Sequence, residues 1–152
     1  MSLPRPDLTH REYSCTVELR MGASAEAIYR AWTERLDTWF AAPGLVTVRP
    51  EVDEPFVFYT EHAGQRHAHY GRFLSLKRDR LVEVTWLTGA MGTDGAETIV
   101  TIVLEPAENG TLLHLTHAGF YDQEAADRHD SAWREAVLPH LDEVARKYGD
   151  LD

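Results

Sequence analysis

Among the eight histidines of this 152-residue sequence, His117 and His129 stand where a polar ring would meet an apolar interior. His117 ends an alternating stretch in which Leu113 and Leu115 share its parity, so a strand there turns all three side chains to one face. His129 lies one helical turn ahead of Trp133 on an apolar stripe. Imidazoles so placed serve one of two ends. Either they bind the polar group of an otherwise apolar ligand, or backbone carbonyls and neighbouring side chains satisfy them internally. Spacing alone leaves both open.

A second cluster is His62, His67 and His69. With a turn at Gly64-Gln65, His62 lies opposite His67 and His69 follows on the same face, three imidazoles within reach of one cation. Zinc asks for three or four ligands at about 2 Å. Against that, a one-residue change in the turn alters the register, no cysteine is near, and Glu61 points to the other face. These histidines are read as solvated or pocket-rim groups, with no metal assigned. Phe56, Phe58 and Phe73 share their parity, whereas Tyr59, Tyr70, Leu74 and Leu76 have the other. Both faces are therefore apolar, which points to a bulge or a partly covered outer side.

The remaining aromatic inventory is Trp39, Phe40, Trp86 and Trp133. Filling core is the ordinary role of such rings. Together with Tyr59, Tyr70, His117 and His129 they are the candidates for lining a ligand pocket. The sequence has no G-x-S-x-G elbow, Walker loop, G-x-G-x-x-G after a strand, or C-x-x-C. No catalytic residue and no cofactor is assigned. An enzyme of cyclase or hydratase type, with His117 and His129 moving protons, stays as the alternative.

The elements that must position these residues follow from periodicity. Residues 10–20 alternate, with Tyr13, Cys15, Val17 and Leu19 on the apolar side of a strand. Ser24 caps a helix carrying Ile28 and Trp32, and a second short helix holds Leu36, Trp39 and Phe40 before Pro43-Gly44. Strands then succeed one another: 45–51, 55–62, 66–76, 80–88, 97–105 and 111–118, with a hairpin signal at Asn109-Gly110. Asp122 caps a final helix to about residue 148, with His129, Trp133, Val137, Leu141 and Val144 on one stripe. Pro139 interrupts it, removing a donor from the Glu135 carbonyl and bending the helix.

Length and composition fit one domain over 10–148, with residues 1–9 a flexible arm. The composition is 43% hydrophobic and 26% charged, without an apolar run long enough to span a membrane and without a secretory start. A net charge of −10 offers no basic stripe for nucleic acid. The lone Cys15 excludes an internal disulfide and fits a cytoplasmic location.

The order strand, two short helices, long meander, long helix resembles the START-like, or SRPBCC helix-grip, superfamily. The residues resemble its activator of heat-shock-protein-90 ATPase homologue family, small bacterial type. That match rests on the stretch from Ala25 to Thr33, the Trp39-Phe40 pair, Gly71, and the run from Thr98 to Pro106. It continues through Gly110-Thr111 and from Leu115 to Phe120, and closes on His129 and Trp133. The resemblance implies an α+β helix-grip fold: a curved antiparallel sheet of six or seven strands around a long C-terminal helix, with two short helices after the first strand. It also implies a cavity between sheet and helix for a small hydrophobic ligand. A chaperone-associated role is a further alternative, and two apolar sheet faces make a homodimer an expected arrangement.

Overall fold

The structure, a computed structural model, describes residues 3–40, 46–47, 49–62 and 64–149. Strand β1 (Tyr13–Met21) buries Cys15, Val17 and Met21 and exposes Thr16 and Glu18, the alternation that period two demands. Tyr13 departs from it. A register shift between Tyr13 and Ser14 swings its ring outward, and it is 43% exposed.

Helix α1 (Ala25–Thr33) begins where the Ser24 hydroxyl accepts the Ala27 N–H at 3.1 Å, a cap worth about 1 kcal/mol. It buries Ala27, Ile28, Ala31 and Trp32. The short α2 (Leu36–Trp39) is locked to it by the Trp39 indole N–H, which donates to the Ala31 carbonyl at 2.8 Å.

The other strands are β2 (Val46–Thr47), β3 (Pro55–His62), β4 (Gln65–Lys77), β5 (Leu81–Trp86), β6 (Thr98–Ala107) and β7 (Gly110–Phe120). They form one seven-stranded antiparallel sheet in the order β1-β7-β6-β5-β4-β3-β2. The two short helices thus carry the chain from one edge of the sheet to the other. Of the strand expected over 45–51, the two residues of β2 are those that pair among the described residues, and Leu45 and Val48 lie outside the described residues. At Gly71 a Cβ would overlap the Thr85 carbonyl oxygen and the Phe56 ring, so only glycine lets these two strands and that ring approach.

Two register details correct the expectations. His62 pairs with Gln65, so His67 lies opposite Thr60 and His69 opposite Phe58. A bulge between Phe73 and Ser75 returns Leu76 to the inner side, opposite Val82, where it packs against the core.

The C-terminal helix starts at Asp122, whose carboxylate accepts the Ala125 N–H at 2.8 Å. It runs as α3 (Gln123–Ala132), a π turn (Trp133–Val137) and α4 (Leu138–Gly149). The Leu138 N–H bonds the Trp133 carbonyl, five residues back. Proline's predicted interruption takes this form: the widened turn absorbs the missing donor of Pro139 and makes room for its ring beside the Glu135 carbonyl. Ala125, Ala126, Trp133, Leu138, Leu141 and Ala145 are buried in the shared core.

Residues of the arm expected over 1–9, and Arg11 just beyond it, have specific partners along the sheet. Arg72 donates to the Pro4 carbonyl, Arg5 pairs with Glu83 at 2.7 Å, and Arg11 donates to the Gly119 and Glu97 carbonyls at 2.8 and 2.7 Å. These bonds reach β4, β5 and β7 and the residue just before β6.

Candidate functional site

The sheet and the C-terminal helix meet at a cluster of rings in two adjoining layers. The deeper layer centres on His117, which is fully buried. The Trp133 indole N–H donates to its Nδ1 at 3.1 Å. Nδ1 must therefore be the bare nitrogen, and Nε2–H donates to the Thr98 hydroxyl at 2.7 Å. That hydroxyl in turn donates to the Trp86 carbonyl. Each donor has one acceptor along the whole chain, and both ring nitrogens are spent. Burial, then the neighbouring His129, pushes the His117 pKa well below its ordinary value, so the ring is neutral.

The shallower layer surrounds a cavity of ≈ 180 Å³. Its walls are the rings of Phe40, His69, Trp86, His129 and Trp133, with Thr88, Gly92, Ala132 and Val137 completing them. Trp86 stands 5.8 Å from Trp133 and 5.3 Å from His69 between ring centroids. The cavity shares His69, Thr88, Gly92 and Ala132 with an open basin of ≈ 840 Å³ bounded by His67, Ala68 and the loop after β5. On its other side Phe40 and Val137 also wall a groove of ≈ 240 Å³ with Trp39, Ala136 and His140.

His129 belongs to this layer, with its ring centroid 4.9 Å from that of His117. Its Nδ1 lies 2.8 Å from the Ala125 carbonyl, which can only accept, so Nδ1 carries the proton. Nε2 is then a bare acceptor without a protein partner among the described residues. Burial and the Arg128 guanidinium push its pKa down, against the Ala125 bond and Asp94, which act the other way. His69 stacks on Phe58 at 4.7 Å and 6°. Its Nε2 meets the Thr60 hydroxyl at 3.3 Å, and its buried Nδ1 has no partner. Burial, with smaller effects of His67 and His129, lowers its pKa to about 4.

The loop after β5 is pinned in place beside the cavity. Thr88 and Thr93 exchange bonds: the Thr88 N–H donates to the Thr93 hydroxyl at 2.9 Å, and the Thr93 N–H to the Thr88 hydroxyl at 2.8 Å. A Cβ at Gly92 would overlap the Thr88 hydroxyl oxygen, so glycine is required there. Arg128, on α3, donates to the Gly92 carbonyl at 3.1 Å and reaches Asp94 at 3.4 Å, tying the loop to the helix.

The predicted residues thus separate. Phe40, Trp86, His129 and Trp133 wall the cavity. His117 does not: it lies behind Trp133 as the internally satisfied ring, because its two nitrogens face a tryptophan donor and a threonine acceptor. Trp39 lines the neighbouring groove. Tyr59 pairs with Ala68, on the face opposite to the Phe58–His69 pair, so Tyr59 and Tyr70 stand on the outer side, and Tyr70 reaches only the basin. No group of three metal-ligating side chains occurs among the described residues, and the His62 side chain of the hairpin cluster lies outside them. His69, a wall of the cavity, reads from the sequence only as a metal or rim group, because both faces of its hairpin are apolar and parity alone does not say which is inner. Thr88 and Gly92 carry no sequence signal of their own.

The profile of the family described as "Activator of Hsp90 ATPase homolog 1-like protein" matches residues 22–146. No curated protein matches the sequence. Among solved structures, a Chromobacterium violaceum protein superposes with a TM-score of 0.72 at 22% identity, covering 88% of this chain and 96% of that one. A Nitrosomonas europaea protein gives 0.72 at 17% identity, covering 90% and 96%. The solution structure of the Aha1 dimer from Colwellia psychrerythraea gives 0.67 at 20% identity, covering 88% and 96%. At these identities the likeness shows the fold, a helix-grip α+β architecture, and nothing finer.

Proposed function

The chain belongs to the activator of Hsp90 ATPase homolog 1-like family, and from that premise we propose that it binds a small hydrophobic or amphipathic molecule between its sheet and its C-terminal helix. The observation that carries this reading is the ≈ 180 Å³ cavity, walled by aromatic rings and holding an imidazole acceptor that no protein group uses. Protein interiors are close-packed, with few voids above the size of a water. A pocket of this size, lined by rings and continuous with an open basin, is where a ligand fits. Proton transfer through His117 is disfavoured, since both its nitrogens are engaged and the ring is 0% exposed.

Native mass spectrometry of the gently purified protein tests the reading. A co-purified small molecule, lost when Trp133→Ala and Trp86→Ala variants are measured, is the expected result. A wild-type mass equal to the bare chain, with no binding of small aromatic or aliphatic probes by heteronuclear NMR, would refute it.

The reading places the protein in the cytoplasm, which the single buried thiol of Cys15, its pKa raised by burial to about 11, supports as an inert reduced side chain. It also includes a homodimer. The Colwellia psychrerythraea relative is described as a dimer, and the outer face here leaves Tyr70 and Val103 48% and 43% exposed. Sedimentation at two concentrations separates monomer from dimer.

A further inference from the structure

We propose that the cavity selects a neutral single-ring aromatic molecule bearing a hydroxyl group, a phenol, with His129 Nε2 as the acceptor of its proton and Thr88 as the donor to its oxygen. This rests on the ligand-binding reading above and narrows it to a chemical class.

Size sets the ring count. An apolar engineered cavity of about 150 Å³ takes benzene, and ≈ 180 Å³ is available here. Phe40 closes the far end, since its ring separates this cavity from the ≈ 240 Å³ groove that shares it and Val137. It is held there by Phe58 at 5.3 Å, Trp86 at 5.4 Å and His69 at 5.5 Å. A two-ring molecule lying toward that end would have to displace it; the other end, past His69, Thr88, Gly92 and Ala132, opens to the basin, so the ring-lined part holds one ring.

Charge sets neutrality. Among the described lining residues none carries a permanent charge, and the neighbouring cation, Arg128, is already engaged with the Gly92 carbonyl and Asp94, so an ion brought there would lose its hydration without a free counter-ion. The walls instead offer π faces, which favour offset or edge-on contact with another ring.

The polar atoms left over specify the substituent. His129 spends its Nδ1 proton on Ala125 and leaves Nε2 as a lone pair. The Thr88 hydroxyl accepts from the Thr93 N–H, and no bond uses its own proton. The Trp133 indole N–H is already committed to His117. His69, on the same wall, adds its buried and unpartnered Nδ1. The residues lining the cavity therefore hold at least one unused acceptor and one unused donor. A hydroxyl is the small neutral group that serves both at once.

The experiment titrates the 15N-labelled full chain with phenol, anisole, benzoate and 1-naphthol, following the indole N–H signals of Trp86 and Trp133. Phenol should bind at least about tenfold tighter than anisole, which has the same ring but no proton to donate. Benzoate and 1-naphthol should leave the indole signals unmoved. In His129→Phe the preference for phenol over anisole should vanish, and in Phe40→Ala 1-naphthol should begin to bind. Equal affinity of the wild type for phenol and anisole overturns the hydroxyl assignment while leaving the cavity as a binding site. Binding of benzoate or 1-naphthol by the wild type overturns the charge or size argument. Failure of every probe, in the wild type and in Phe40→Ala alike, strikes the underlying ligand-binding reading itself.

Discussion

His117 and His129 lie 4.9 Å apart between ring centroids, come from neighbouring elements, and differ in nearly everything that matters chemically. The first has a donor and an acceptor on its two nitrogens and no contact with solvent; the second has one nitrogen committed and the other turned loose beside a void. Both are neutral, because burial lowers the pKa of each. What separates a structural histidine from a binding one here is therefore not burial or ionisation. It is whether the protein has already spent the lone pair.

The strongest way to break this contrast is at Trp133, which belongs to both layers. Replacing it by alanine removes a buried ring and should cost about 3–5 kcal/mol in urea unfolding. Trp133→Phe keeps most of the packing and removes the donor to His117 Nδ1, a loss of about 1–3 kcal/mol. Equal losses for the two variants would mean that packing contributes little.

Acid should act next. His69 has a pKa near 4 in the folded protein, against an ordinary value of about 6.5 in the unfolded chain. Between those values the unfolded chain binds the extra proton, so stability rises with pH. The contribution is complete above about pH 6.5 and is lost as pH falls through about 4, on the order of 3 kcal/mol. His117 and His129 are shifted in the same direction and add to it. Thermal melts from pH 7.5 to 4.5 should show a falling midpoint, and His69→Phe should flatten that slope. Parallel curves for the two proteins would contradict the assignment.

Thr98→Val probes the deep layer alone. It leaves the His117 Nε2–H and the Trp86 carbonyl without their shared partner, at a cost of about 1–3 kcal/mol, whereas Thr98→Ser should restore most of it. The smallest effect is expected at the shallow layer. His129→Phe loses one bond to the Ala125 carbonyl and should change stability by less than about 1 kcal/mol, measured by the same unfolding curves. A penalty as large as that of Thr98→Val would erase the distinction between the two rings.

The fold was largely legible because its signals are local. Alternation in β1 and β5, the Ser24 and Asp122 caps, and the interruption by Pro139 each depend on residues a few positions apart. The site was legible only in part. His117, His129 and Trp133 could be placed on inward faces by period, but their roles could not be divided, since parity says where a side chain points and not what it meets. Tyr59 and Tyr70 were drawn into the site because both faces of the hairpin are apolar, and only the Phe58–His69 pairing decides which one is inner.

Sequence by itself determined that the imidazoles sit in an aromatic interior under a capped, proline-interrupted helix. Tertiary structure alone decided which imidazole is spent. The Trp133 and Thr98 groups that consume His117 come from the π turn and from β6, distant in sequence, and only packing brings a donor and an acceptor to within hydrogen-bond reach of one ring. The same packing leaves His129 without such a second partner. The physical reason is that a lone pair is used up by contact in space, which periodicity along a chain does not record.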